Sequence, residues 1–379
     1  MKPIAIITFH SSHNSGSMLQ AYALQNKLKE LGYENDIIDF SNDGQRKLYS
    51  VMPSVVWHGF VRKTLILRWL KTLPYYFILE NQKKFYLDFK SSYLDMTFKE
   101  YRNNKELCSE NFEYSYYITG SDQVWNIKCI DADDAYFLNF VKKGIKIAYA
   151  VSLGANIIKN TTDNVNKYRE YIMDFNYISV RETNAVAQIS DLGGKNVEMC
   201  IDPTLFYNQN EWEAHLPVGD RIVKEEYIFY YAFSYSDEVN KTVVEISRKY
   251  KLPVYIMDAR VWGPMDKKKN GFKLCGVSGP LAFLNLMKYA KLSLTTSFHG
   301  TVFSVIFQKK FWFIDSSMHS EQDDRASSLL KQLGLMDKLI YGDKLLESNI
   351  FQDIHYEHVY ENIRNLQENA IAFLHKSVK

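Results

Sequence analysis

Residues 291–307, KLSLTTSFHGTVFSVIF, decide how the chain is read. A short apolar, β-prone run (292–295) meets the polar turn Thr296-Ser297-Phe298-His299-Gly300. A second apolar run (301–307) follows, with no polar interruption long enough for an exposed loop. This pattern is a strand, a tight turn and a buried helix. In an open α/β sheet, ligands sit beyond the carboxyl ends of the strands, where the first helical N–H groups point outward and attract anions. Ser297 and His299 fall there, and Gly300 lets the backbone pass where a side chain would obstruct a ligand. An isolated histidine at such a turn also suits a satisfied helix cap, so the rest of the chain has to decide between the two.

The same alternation recurs on both sides of that stretch. Residues 3–9 read as a strand, 10–16 (HSSHNSG) as a polar turn, 17–31 as a helix stopped by Gly32, and 36–40 as the next strand. This β-α-β opening lacks GxGxxG, which weakens a dinucleotide reading. Asn14, Ser15 and Gly16 can still present donors to an anion at the helix start, or simply cap it. Residues 114–119 form a strand that runs into Gly120-Ser121-Asp122-Gln123-Val124-Trp125-Asn126. In that turn Asp122 and Gln123 can bind hydroxyls and Trp125 can offer a face to a sugar ring, with a core anchor as the alternative for the tryptophan. Further strands are expected at 146–152, 177–180, 197–201, 227–233, 253–257 and 311–314, with helices between them. Arg181, at the end of the 177–180 strand, can clamp a phosphate or carboxylate, or pair with Glu182 or Asp202. Arg325 opens the helix 324–334, where the helix dipole opposes a cation, so an anionic partner explains it better than a surface role does.

These readings define an α/β chain of two domains, 1–206 and 207–355, followed by a terminal helix (356–379). The first domain carries an insertion at about 44–95. Between Asp43 and Glu80 there is no acidic residue, while Arg46, Lys47, Arg62, Lys63, Arg68 and Lys71 lie among Trp57, Phe60, Trp69, Tyr75 and Phe77. Such a stripe (46–77) can lay a helix on an anionic membrane surface, but the preferred reading is a helical hairpin packed on the first domain. Asp131-Ala132-Asp133-Asp134 is read as a solvated loop rather than a metal motif. His355 and His358 lack a third ligand, so no metal site is expected.

Composition narrows the function classes. The 379 residues exceed one ordinary core, and 46% hydrophobic with 24% charged residues is globular. A formal charge of +2 gives no argument for nucleic acid as a partner. Cys108, Cys129, Cys200 and Cys275 have no CxxC spacing and suit a reducing compartment. The opening MKPIAIITFH reads as a first strand rather than a signal peptide, and no apolar run approaches a membrane span, so a cytoplasmic protein is expected.

The segments NSGSMLQAYALQNKLKELGY, TGSDQVWN, YFLNFV, KIAYAVSLGA, ISVRE, DPTLF, GPLAFLNLMKYAKLSLTTSFHGTVFSVIF and RASSLLKQLGL together resemble the polysaccharide pyruvyl transferase family, in order and across nearly the whole chain. The resemblance implies a glycosyltransferase-B-like fold with two Rossmann-like domains facing a cleft and a terminal helix crossing back to the first domain. It also implies phosphoenolpyruvate as donor substrate, with no other cofactor, and a sugar of a cell-surface glycan or a lipid-linked precursor as acceptor. Arg181 and His299 match the family's donor-binding and catalytic positions. Where some members carry a basic residue just before the histidine, this chain has Ser297-Phe298, and Arg325 is the substitute candidate. His299 is then expected to transfer protons and Arg181 and Arg325 to hold the donor's anionic groups, with Ser297, Gly300, Asn14 and Gly16 beside them. Asp122, Gln123 and Trp125 are expected on the acceptor side. Two other readings stand beside this one. A nucleotide-sugar glycosyltransferase of the same fold usually carries a Glu on the helix after the donor loop, and here that helix, GTVFSVIF, has no carboxylate. A catalytically silent glycan-binding protein would have little use for both Arg181 and His299.

Overall fold

The computed structural model describes residues 4–54, 62–315 and 324–379. Its described residues form two parallel six-stranded sheets. The first takes β1 (Ile4–Ile7), β2 (Asn35–Ile37), β3 (Tyr116–Thr119), β4 (Ile145–Val151), β5 (Tyr177–Val180) and β6 (Glu198–Met199), in the order β2-β1-β3-β4-β5-β6. The second takes β7 (Ile228–Tyr231), β8 (Val254–Ile256), β9 (Lys273–Leu274), β10 (Leu292–Thr295), β11 (Phe311–Asp315) and β12 (Leu339–Tyr341), in the order β12-β11-β10-β7-β8-β9. Each sheet therefore reverses direction once, between β1 and β3 and between β7 and β10. Such reversals leave a crevice at the strands' carboxyl ends.

Local chemistry sets the two helices that border these crevices. Asn14 caps the helix Ser15–Glu30, its Oδ1 accepting from Gly16 N (2.9 Å) and Ser17 N (3.3 Å). Gly32, at φ +84°, ends that helix, and Tyr33 N turns back to Leu28 O (2.9 Å). Ser297 caps the helix Phe298–Ile306, all nine residues of which are buried. A helix apolar on every side belongs in an interior. It packs between its own sheet and the first domain. Trp212, fully buried on the helix Gln209–His215, lies 6.0 Å from the Tyr22 ring of the first helix and 5.4 Å from the Phe303 ring of the second. The polar stretch after residue 207 thus contributes an apolar wedge between the two sheets' helices.

The insertion does more than pack on the first domain. Its helix Tyr76–Tyr93 sets Phe89 against Tyr22 (6.1 Å), but Gln82 reaches the second domain, donating to Met257 O (2.5 Å) and Ser278 Oγ (2.8 Å). The terminal helix Tyr356–Ser377 runs beside the first sheet. Gln367 donates to Leu205 O (2.6 Å), and His375 Nδ1 meets the Tyr33 hydroxyl (3.0 Å). No described helix is long and apolar enough to cross a membrane. Trp57 and Phe60 of the basic aromatic stripe lie outside the described residues.

Candidate active site

Between the two sheets lies a cleft of about 850 Å³. Its walls are the loops that the crevice rule singles out. His13 and Asn14 follow β1, Asp122 and Gln123 follow β3, Phe233 and Tyr235 follow β7, and Ser297 and His299 follow β10.

His299 sits where the two domains touch. An ideal Cβ added to Gly16 would fall 2.3 Å from the imidazole Cγ and Nδ1, so only glycine allows the first-domain helix to lie against the ring. Behind the ring, Nε2 comes within 3.4 Å of Asp202 Oδ2. That separation suits an ion pair when the ring is protonated. The approach is off the line of a hydrogen bond, and Nε2 has no such partner.

Asp202 anchors a buried polar cluster. Arg181 Nη1 donates to its Oδ2 (2.6 Å), Ser121 Oγ donates to the same oxygen (3.3 Å), and Thr204 donates to Oδ1 through N (3.1 Å) and Oγ1 (2.6 Å). Burial by itself would raise this carboxyl. The charges of His299 and Arg181, with the hydroxyl of Thr204, overcome it and hold the group well below the usual carboxylate range. The Arg181 guanidinium stacks under the Phe298 ring, 4.0 Å from its centroid, and reaches Asp122 Oδ1 at 3.8 Å and Glu182 Oε2 at 3.9 Å. Its Nε and Nη2 make no hydrogen bond. Glu182 accepts from Leu153 N (2.8 Å), and burial pushes its carboxyl up to about 7 against the pull of Arg181. Arg181 is therefore behind the cleft wall, with Phe298 in between.

A model of the polysaccharide pyruvyl transferase family matches residues 14–318. The chain belongs to that family. No curated protein matches it significantly. Among solved structures, the UDP-GlcNAc 2-epimerase from Neisseria meningitidis bound to UDP-GlcNAc shares its fold at 10% identity, with 99% of this chain and 100% of that chain covered and a TM-score of 0.52. UDP-N-acetylglucosamine 2-epimerase from Rickettsia bellii is similar at 8% identity, 99% and 96% coverage and a TM-score of 0.52. A Methanocaldococcus jannaschii UDP-GlcNAc 2-epimerase in complex with UDP-GlcNAc and UDP follows at 12% identity, 97% and 93% coverage and a TM-score of 0.50. The architecture is glycosyltransferase-B-like.

Within this pyruvyl transferase family fold the expected site residues divide. Asn14, Asp122, Gln123, Ser297, His299 and Arg325 are on the cleft wall. Asp122 accepts from Ser17 Oγ (2.5 Å), and Gln123 from Asn126 Nδ2 (2.9 Å). Arg325 opens the helix Arg325–Leu333, which is docked on the first domain through Asn184 N to Asp324 Oδ2 and Thr183 N to Ser328 Oγ, both 3.0 Å. Four expectations need correction. Arg181, expected to hold the donor's anionic groups, is buried against Phe298 and donates to Asp202 instead of lining the cleft. Trp125 offers no face to the cleft: it is fully buried, stacked on Phe137 (5.2 Å), and donates to Tyr136 O (3.1 Å). Gly300 makes room for its own sheet rather than for a ligand, since a Cβ there would meet Thr295 Oγ1 at 2.1 Å. The N–H of Gly16 is already used by Asn14, so the glycine serves as the seat of His299.

Other wall residues escaped the sequence reading. The loop at 131–134 is only partly solvated, and its Asp131 is buried. Asn42 Nδ2 donates to Asp131 O (2.9 Å), and Gly44 is glycine because a Cβ would meet Ile130 O at 2.0 Å. These contacts hold Asp131 on the wall, where burial pushes its carboxyl up to about 6 and the charge of Asp122 adds to the rise. His13, stacked on Tyr86 (5.4 Å, 14°), is lowered to about 4, first by burial and then by Lys83, Arg260 and Lys90. Asp258 accepts from Arg260 N (2.9 Å) and lies on the same wall. Three-carboxylate spacing suggested exposure for Asp131, and nothing local marked the partners that bury it. Among the described residues no group of three or more His, Cys, Asp or Glu side chains could hold a metal ion.

Proposed function

We propose that this chain transfers the pyruvyl group of phosphoenolpyruvate to two hydroxyls of one sugar in a cell-surface glycan or its precursor, forming a ketal. In such a reaction the methylene carbon of the donor takes up a proton and becomes the methyl group. One sugar oxygen bonds to the central carbon, the carbon–oxygen bond to phosphate breaks, and a second sugar oxygen closes the ketal. One hydroxyl proton ends on the methyl carbon and the other leaves with phosphate. The chemistry needs one group that gives a proton, one that takes protons from hydroxyls, and cationic or N–H groups for the phosphate and carboxylate.

The observation that carries this reading is the seat of His299: an imidazole at a helix N-terminus, on the cleft wall, fixed by Gly16 in front and by the Asp202–Arg181 pair behind. In the proposed scheme His299 delivers the proton to the methylene carbon, with Asp202 behind its ring. Arg181 acts through Asp202 and so positions the histidine. Arg325, with the N-terminus of the helix Phe298–Ile306, receives the donor's anionic groups. Asp122, Gln123 and Asp131 face the acceptor, with Asp131 as the proton acceptor. Four free cysteines, one of them exposed, support a reducing compartment such as the cytoplasm for the proposed reaction.

The test is thermal stabilisation of the purified protein by phosphoenolpyruvate against UDP-GlcNAc. A ligand held by the native state adds about 2.7 kcal/mol at one hundred times its dissociation constant. Phosphoenolpyruvate is expected to raise the midpoint, and Arg325→Ala to reduce that shift. A shift with UDP-GlcNAc alone would replace this reading by a nucleotide-sugar transferase.

A further inference from the structure

The insertion presents to solvent a surface that an isolated globular protein would not keep. On the helix Arg62–Thr72, Ile66, Leu67, Trp69 and Leu70 are exposed, and Leu73, Phe77 and Ile78 continue the patch onto the next two turns. Leu70 is 61%, Leu73 62% and Phe77 85% exposed. Of the side chains described on that helix, Thr72 alone is buried. A helix with apolar residues on several faces is stable in an apolar surrounding, and clustered exposure of this kind marks an interaction surface.

The rim of the patch identifies the partner by charge. Lys71 and Lys84 are exposed on the insertion itself. From the second domain, Lys268 lies over the Tyr75 ring (5.2 Å) and donates to its hydroxyl (2.6 Å), with the exposed Lys269 and the half-buried Lys267 beside it. Arg68 adds a sixth cation. The carboxylates of this region are Glu80, which accepts from the Tyr76 hydroxyl, Asp266, which pairs with Lys269, and Asp237, which pairs with Lys267 at 2.5 Å. Among the described residues, six cations against three anions around exposed Trp, Phe and Leu side chains is the composition of a surface that lies in the headgroup region of an anionic bilayer.

The patch and the cleft share a wall. The helix Tyr76–Tyr93 carries Phe77 outward, while Leu79, Gln82, Lys83 and Tyr86 of the same helix line the cleft. Met265, beside the lysine run, is exposed and also lines the cleft. We propose that this face docks on an anionic lipid bilayer, and that the sugar acceptor enters the cleft from a lipid-linked precursor held in that bilayer. The second half rests on the pyruvyl transfer reading above; the first half does not.

The test is co-sedimentation of the full chain with vesicles of phosphatidylglycerol and phosphatidylcholine, compared with phosphatidylcholine alone. The wild type is expected in the pellet with the anionic vesicles. Leu70→Ser with Phe77→Ser, at exposed positions that leave the melting temperature unchanged, should lower the bound fraction about tenfold, and Lys268→Glu with Lys269→Glu should do the same in a salt-sensitive way. A wild type that stays in the supernatant overturns the proposal, and so does binding unaffected by either pair. Light scattering that shows a dimer broken by Leu70→Ser with Phe77→Ser, without vesicle binding, assigns the face to a second copy and overturns it as well. Transfer to a vesicle-embedded lipid-linked sugar should fall in the Leu70 and Phe77 variant, with transfer to a short soluble acceptor unchanged; equal transfer in both formats overturns the second half. If the wild type uses no phosphoenolpyruvate with either acceptor, the functional reading falls while the vesicle result stands.

Discussion

Two sets of charged side chains lie on either side of the Phe298 ring. Behind it, Arg181, Asp202 and Glu182 are sealed from solvent and spend their charges on one another, on the backbone and, through Arg181, on Asp122. In front of it, Asp131, Asp122, Arg325 and Arg260 line an open cleft. His299 belongs to both, with its ring on the wall and its Nε2 turned to Asp202. Under the proposed function, the difference separates groups that hold a geometry from groups that would meet a substrate, and it predicts different consequences of mutation on the two sides.

The hardest break is Arg181→Ala, which leaves the Asp202 carboxylate buried without its principal cation. Removing one partner of a buried pair destabilises by about 3–5 kcal/mol, so the melting temperature should drop sharply and activity with it. A variant that keeps its melting temperature but loses phosphoenolpyruvate binding would move Arg181 to the front of the wall. Asp131→Asn should do the reverse. It leaves stability nearly unchanged and lowers kcat by roughly 10² or more, as removal of a general base does. With its carboxyl near 6, Asp131 is a base only above that pH, so the wild-type rate should rise with pH through about 6, and that acid limb should vanish in the variant.

Gly16→Ala sharpens the comparison at the seam. A Cβ 2.3 Å from the imidazole must displace the ring, and a displacement near 1 Å is worth about 10² in rate. Stabilisation by phosphoenolpyruvate should persist. Glu182→Gln is the gentlest test, read in stability. The folded carboxyl titrates near 7 and the unfolded one near its ordinary value, so folding takes up a proton between those pH values. That contribution is full below the unfolded pKa and is lost as pH rises through 7. The melting temperature of Glu182→Gln should therefore fall less than that of the wild type between pH 5 and pH 8.

The fold was legible because its signals are local. KLSLTT alternates into a four-residue strand, Ser297 caps the helix that follows, and the same grammar repeats at Asn14 and Gly32. The edge strand β6, two residues long, carries too little pattern to mark its bounds, and the equally short β9 and the three-residue β12 carry too little to be read as strands at all. The site was legible only as residue types at strand ends. Whether such a residue faces the cleft depends on partners remote in sequence: Tyr136 and Phe137 draw Trp125 into the core, Phe298 covers Arg181, and Asn42 with Gly44 clamps the loop that carries Asp131. The contact between Gly16 and His299 joins two helix starts from opposite ends of the chain, and neither local sequence contains it.

The most direct test of this account is release of phosphate from phosphoenolpyruvate in the presence of a glycan-precursor preparation, by the wild type and by His299→Gln. Acceptor-dependent release by the wild type and its loss in His299→Gln are expected, with the variant still stabilised by phosphoenolpyruvate. Release by His299→Gln at the wild-type rate would contradict the role of this histidine as the proton donor.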